Sequence, residues 1–143
     1  MVQAFERATR IQRRPDEVWA ALTDWEHATE WMPGVEAIAP VDGQGGVPSK
    51  LRFSARGKDR DAMVRAWEPD RRLVLESTQG GVTAIYEYLL AANGPATDMR
   101  LRASCVTRGA LWRLASPLLV VAMRLTDGPQ LKRLRTAIER RHG

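Results

Sequence analysis

Apolar and polar side chains alternate along most of this chain, and only two stretches break that period of two. Residues 2–13 open with Phe5, Thr9 and Ile11 on one face, joined by Arg7, and with Glu6, Arg10 and Gln12 on the other, which predicts a strand. Pro15 then stands at a helix entry, followed by Asp16 and Glu17, whose charges suit the positive end of a helix dipole. Val18, Trp19 and Leu22 form the apolar stripe of that short helix, and Asp24 starts a second brief helical piece through Trp25 to Trp31, closed by Pro33-Gly34. From residue 35 to 107 alternation returns, with strands expected at 35–41, 49–57, 60–68, 71–78, 82–92 and 97–107. The turns between them centre on Asp42-Gly43-Gln44-Gly45-Gly46, Gly57-Lys58-Asp59, Pro69-Asp70, Gly80-Gly81 and Asn93-Gly94-Pro95. These connections are too short for parallel crossovers, so the sheet is an antiparallel meander.

The second break is the final third, which reads as helix. Ser116-Pro117 looks like an N-cap and first helical residue. Val120, Met123, Leu131, Leu134 and Ile138 then share a sector of roughly 80° at about 100° per residue. Asp127 interrupts that stripe beside Gly128-Pro129. Asp127 with Gln130 resembles a capping box that starts a second helical segment; a continuous, kinked helix would instead bring Asp127 to the interior face.

Length and composition narrow the picture. The 143 residues, 44% hydrophobic and 27% charged, suit a single globular domain over 1–143 with a sizeable core. The longest apolar run, Leu118 to Met123, is far below the ~20 residues needed to span a bilayer, and the charged N-terminus lacks a signal-peptide core. One cysteine, Cys105, excludes an intramolecular disulfide, and with only His27 and His142 beside it no metal site is expected. A reducing cytoplasm is the expected compartment. The net charge of +5 comes from 22 basic and 17 acidic residues interspersed through most of the chain, so no nucleic-acid partner is expected. The densest basic cluster, Lys132 to Arg141, reads as a solvated helix face.

Seven strands with one dry face need covering, and one long helix with two short ones is little to cover them with. A strongly curved sheet wrapped around the C-terminal helix meets that need and favours an enclosed cavity. Small residues on the expected dry face (Ala37, Ala39, Ala55, Ala62, Ala66 and Ala103) point the same way. At the level of residues, the segments Pro15-Asp16-Glu17-Val18-Trp19, Trp31-Met32-Pro33-Gly34-Val35, Trp67-Glu68-Pro69-Asp70-Arg71-Arg72-Leu73 and Met99-Arg100-Leu101 resemble the START-like (SRPBCC) superfamily, in its polyketide cyclase/dehydrase branch. The resemblance covers essentially the whole chain. It implies an α+β helix-grip fold, with a curved seven-stranded antiparallel sheet around the C-terminal helix and two short helices after the first strand. It also implies a deep pocket between sheet and helix, while leaving open what the pocket holds, since this fold hosts carriers, receptors and cyclases alike.

Candidate pocket residues are Phe5, Thr9, Trp31, Leu51, Phe53, Val64, Leu75, Tyr86, Tyr88, Met99, Leu101, Val120 and Met123. Tyr86 and Tyr88 alternate inward with Leu90 and carry phenols able to hydrogen-bond a ligand carbonyl; they are equally suited to be amphipathic core residues. Arg7 belongs either in the pocket, where cyclase relatives use an arginine to polarise polyketide carbonyls, or at its mouth. Glu87 is expected to point outward, His27 to lie at the surface and Cys105 to pack as a small core residue. The chain has no Ser-His-Asp or Cys-His arrangement and no phosphate-cradling loop. The first expectation is therefore a cofactor-free binding protein for a small hydrophobic molecule (a lipid, isoprenoid, quinone or polyketide-like compound), with transient membrane contact through Leu118 to Val121. The alternative is a cyclase/dehydratase using acid–base groups from Arg7, Tyr86, Tyr88 and Asp127. Monomer and dimer both remain open.

Overall fold

The computed structural model describes the chain except for residues 1, 33, 56, 111, 112, 115, 116, 119–122, 124–128 and 143, and the side chains of residues 2, 141 and 142. Seven strands form one antiparallel sheet: β1 (Val2–Ile11), β2 (Val35–Gln44), β3 (Val47–Ala55), β4 (Lys58–Glu68), β5 (Arg72–Gln79), β6 (Val82–Asn93) and β7 (Ala96–Thr107). Their spatial order is β1-β7-β6-β5-β4-β3-β2, so β2 to β7 are a pure meander and β1 closes onto β7. The sheet curves around a C-terminal helix, the helix-grip architecture expected from the sequence. No helix among the described residues is long and apolar enough to cross a membrane.

Between β1 and β2 lie helix α1 (Pro15–Leu22) and a 3-10 helix (Trp25–Glu30). Pro15 starts α1 with Asp16 and Glu17 in its first turn, both paired to the Arg14 side chain. Val18, Trp19 and Leu22 are buried, and the Trp19 ring meets Trp67 of β4 edge-on at 5.2 Å. The last helix, α2 (Gln130–His142), follows a turn at Pro129, whose carbonyl accepts the Arg133 N–H. Leu131, Leu134 and Ile138, at helical spacing, are buried against the sheet and α1. Burying each contributes about 1.5–3 kcal/mol relative to exposure. Of the residues between β7 and α2, 108–110, 113, 114, 117, 118, 123 and 129 are described, and of these 110, 113, 114, 117, 118 and 123 are helical. The expected N-cap Ser116, the cavity residue Val120 and the cap or kink at Asp127 lie outside the described residues.

Bulges decide which side chains face inward. Ladder registers shift between Gln3 and Phe5, three times between β2 and β3, and between Val64 and Ala66. A bulge moves every following side chain to the other face. Ala37 and Ala39, expected on the dry face, are therefore exposed, and Ile38 packs against the core in their place. The convex face is charged: Glu6 meets Arg100 and Arg102, Glu87 meets Arg102 and Arg72, and Asp61 meets Arg52. Glu87 thus points outward, as the alternation predicts. Pairs this exposed contribute about 0–1 kcal/mol each and set register more than stability.

Candidate functional site

Ladder registers arrange the concave face in rows that cross the strands. Arg7, Leu101, Tyr88, Leu73 and Trp67 make one row; Phe5, Ala103, Tyr86, Leu75 and Val64 make the next. Beyond them Cys105, Ala84 and Ser77 form a row of small residues. Alternation therefore puts Tyr86 and Tyr88 on one face, but in different surroundings.

Tyr88 is buried at the closed end. Its hydroxyl donates to Gln130 Oε1 at 2.7 Å, and its ring meets Trp31 edge-on at 6.3 Å. Trp31, Leu51, Leu75, Met99 and Leu101 are buried in the same cluster, sealed by α2 through Leu131, Leu134 and Ile138. Gln130, a polar residue only 5% exposed, was not legible as a partner, because nothing in a linear chain relates it to Tyr88. Thr97, also fully buried, donates its hydroxyl to the Arg13 carbonyl at 2.8 Å.

Away from α2, which contacts β1 and β7, the cover across β2 to β4 is less complete. Ile38, Phe53, Val64, Trp67, Tyr86 and Met123 pack on the core yet stay half-exposed. Thr9 is half-buried, and Phe5 is buried. Arg7 shares the concave row with Leu101 but is exposed: its guanidinium lies 5.5 Å from the Phe5 ring centroid and donates to the Glu6 carbonyl. From Arg7 to Tyr88 the backbone crosses two strand spacings, about 10 Å. Arg60 lies opposite Phe53 on the same face. Its guanidinium donates to the neutral side-chain amide of Gln79.

Two open clefts flank the β2–β3 hairpin, of about 660 and 440 Å³, and share Asp42, Gly43, Val47, Pro48 and Trp67. Among the described residues, Val64 is the only expected pocket residue that lines either. Asp24, Glu26 and His27 bring ligand-type atoms within 4.8 Å of one another; His27 and Glu26 are exposed, and His27 Nδ1 contacts Asp24 Oδ2 at 2.8 Å across the start of the 3-10 helix. Cys105 is 1% exposed, and burial pushes its thiol pKa up. It packs as a small core residue rather than as a nucleophile.

The sequence pattern of the family described as polyketide cyclase/dehydrase and lipid transport fits residues 2–139. The chain belongs to that family. A search of curated proteins gives no match. Solved structures of the same fold include the Zhui aromatase/cyclase of a Streptomyces species, at 18% identity and TM-score 0.78, covering 97% of this chain and 94% of that one. A protein of Thermus thermophilus matches at 18% identity and TM-score 0.73, over 96% and 98% of the two chains. A START superfamily protein of Mycobacterium smegmatis matches at 15% identity and TM-score 0.68, over 95% and 97%. At these identities the likeness carries the fold, and chemistry has to be argued from the site.

Proposed function

We propose that this family member binds and carries a small hydrophobic ligand between the sheet and the C-terminal helical region. The observation that carries the reading is the uneven filling of the concave face. The β1–β7 side is packed shut by α2, while apolar side chains on β2 to β4 and at Tyr86 remain half-exposed, which is costly unless something apolar covers them. Arg60 and Tyr86 supply the few polar groups that would orient a ligand in an otherwise apolar site. The ligand class is therefore an apolar body with one polar end: a lipid, isoprenoid, quinone or polyketide-like compound. One buried free cysteine suits a reducing compartment such as the cytoplasm.

Native mass spectrometry of the freshly purified protein, followed by denaturation and extraction, tests this. A discrete apolar adduct is the expected result, and a clean apo mass that no added lipid or quinone shifts would overturn it. A steric variant sharpens the test. Val64→Trp fills the half-exposed zone and is expected to lower ligand occupancy at least tenfold, about 1.4 kcal/mol, with the unfolding midpoint little changed. Tyr88 and Met99 are the wrong places for that tryptophan, because both side chains are packed into the closed end.

One observation favours a second reading, aldol cyclisation and dehydration of a poly-β-ketone. Tyr86 is a half-buried phenol on the ligand-facing row, where a general acid is required. Turnover of a poly-β-ketone that Tyr86→Phe abolishes would support the cyclase over the carrier.

A further inference from the structure

The two faces of the sheet treat their cations differently. On the convex face Arg52, Arg72, Arg100 and Arg102 each meet a carboxylate. Arg60 lies on the other face. It pairs in the ladder with Phe53, and Lys58 pairs with Ala55, on the side where Leu51 and Ala62 are buried. The acidic neighbours of Arg60 point away from it: Asp59 accepts from Ser54 Oγ at 2.7 Å, and Asp61 pairs with Arg52 at 3.0 Å. Across β3 to β7, the described positions in register with the concave face hold no Asp or Glu.

The guanidinium of Arg60 is half-buried and only partly used. Its Nη1 donates to the side-chain oxygen of Gln79, which carries no charge. Among the described residues, Nε and Nη2 have no acceptor. Those two nitrogens form one planar edge, the edge that takes both oxygens of a carboxylate side by side. Inward from Arg60 the face carries the small side chains of Ala62, Ser77 and Ala84, then the half-exposed Val64 and Tyr86. Arg60 and Val64 are four residues apart on β4, about 13 Å of apolar path beginning beside the Phe53 ring.

We propose that the ligand of the concave face is a long-chain carboxylic acid. Its carboxylate sits on the Nε–Nη2 edge of Arg60, with Lys58 adding positive charge at the rim, and its chain runs past Phe53 toward Val64. This rests on the carrier reading above and adds the charge and the direction of the ligand.

The test compares cis-parinaric acid, a fluorescent fatty acid, with its methyl ester, titrated into the full chain at neutral pH. The acid is expected to bind about tenfold more tightly or better, the increment of a charge-assisted bond. Arg60→Gln should remove that preference, weakening the acid about tenfold and leaving the ester unchanged, which also shows that the variant is folded. Arg60→Lys, which keeps the charge but not the planar edge, should fall between the two. Equal affinity for acid and ester, or an acid affinity that Arg60→Gln does not change, overturns the carboxylate assignment and leaves the carrier reading standing. Equal losses for both probes in Arg60→Gln overturn it too, since the residue would then serve the fold. Binding of neither probe to the parent overturns it together with the carrier reading for single-chain lipids.

Discussion

Tyr88 and Gln130 join the sheet to α2 inside the core, where an unmade hydrogen bond has no water to replace it. Tyr88→Phe leaves the Gln130 carbonyl oxygen without its donor and is expected to destabilise the fold by about 1–3 kcal/mol. Urea titration reads this as a lower midpoint at unchanged slope. Adding Gln130→Met, which removes the orphaned acceptor, should recover part of the loss, and a double-mutant cycle measures the coupling. Simple additivity of the two changes would mean that the pair is not coupled. The same bond explains why two tyrosines that look equivalent in the sequence differ in role: one phenol is held by the core, the other lies on the half-exposed row.

Between elements, the junction of β1 with the β6–β7 hairpin depends on Asp98. Its carboxylate accepts from Arg10 Nε and from Asn93 Nδ2, each at 2.9 Å, and these bonds, Arg10 first, hold its pKa below the ordinary carboxylate value. A folded pKa below the unfolded one means that the contribution is present above the unfolded value. It is lost as pH falls through the folded value. Chemical denaturation from neutral to acid pH should therefore show Asp98→Asn less stable at neutrality and with a shallower acid decline. Parallel curves for the two proteins would contradict this role. The strands themselves were legible to within about three residues, because alternation and Gly-rich turns are local signals. Bulges were not legible. They come from cross-strand pairing, and so alternation alone turns Ala37 and Ala39 of β2 inward where the structure exposes them. Arg7 shows the other limit, since alternation gives its face but not its exposure at the sheet edge. Packing against α2, which divides the concave face into closed and half-exposed ends, is likewise a long-range property.

For the whole molecule, Cys105 is a built-in reporter. Its side chain is buried in β7 and its thiol pKa is raised by burial, so the native state should resist alkylation. Labelling by iodoacetamide then proceeds only through opening of the sheet. Saturating ligand should slow it further, by the factor through which binding favours the closed state. Fast labelling of folded protein would place the thiol on a locally mobile edge instead. The sheet order has a further consequence, for synthesis rather than stability. β2 to β7 each pair with the strand made just before or after, so that hairpins form as the chain leaves the ribosome. β1 is made first, yet its partner β7 arrives on the order of ninety residues later. The first strand must wait, unpaired and carrying Phe5 and Ile11, until nearly all the sheet exists. That interval is when the nascent chain is most exposed to wrong pairing and most in need of a chaperone.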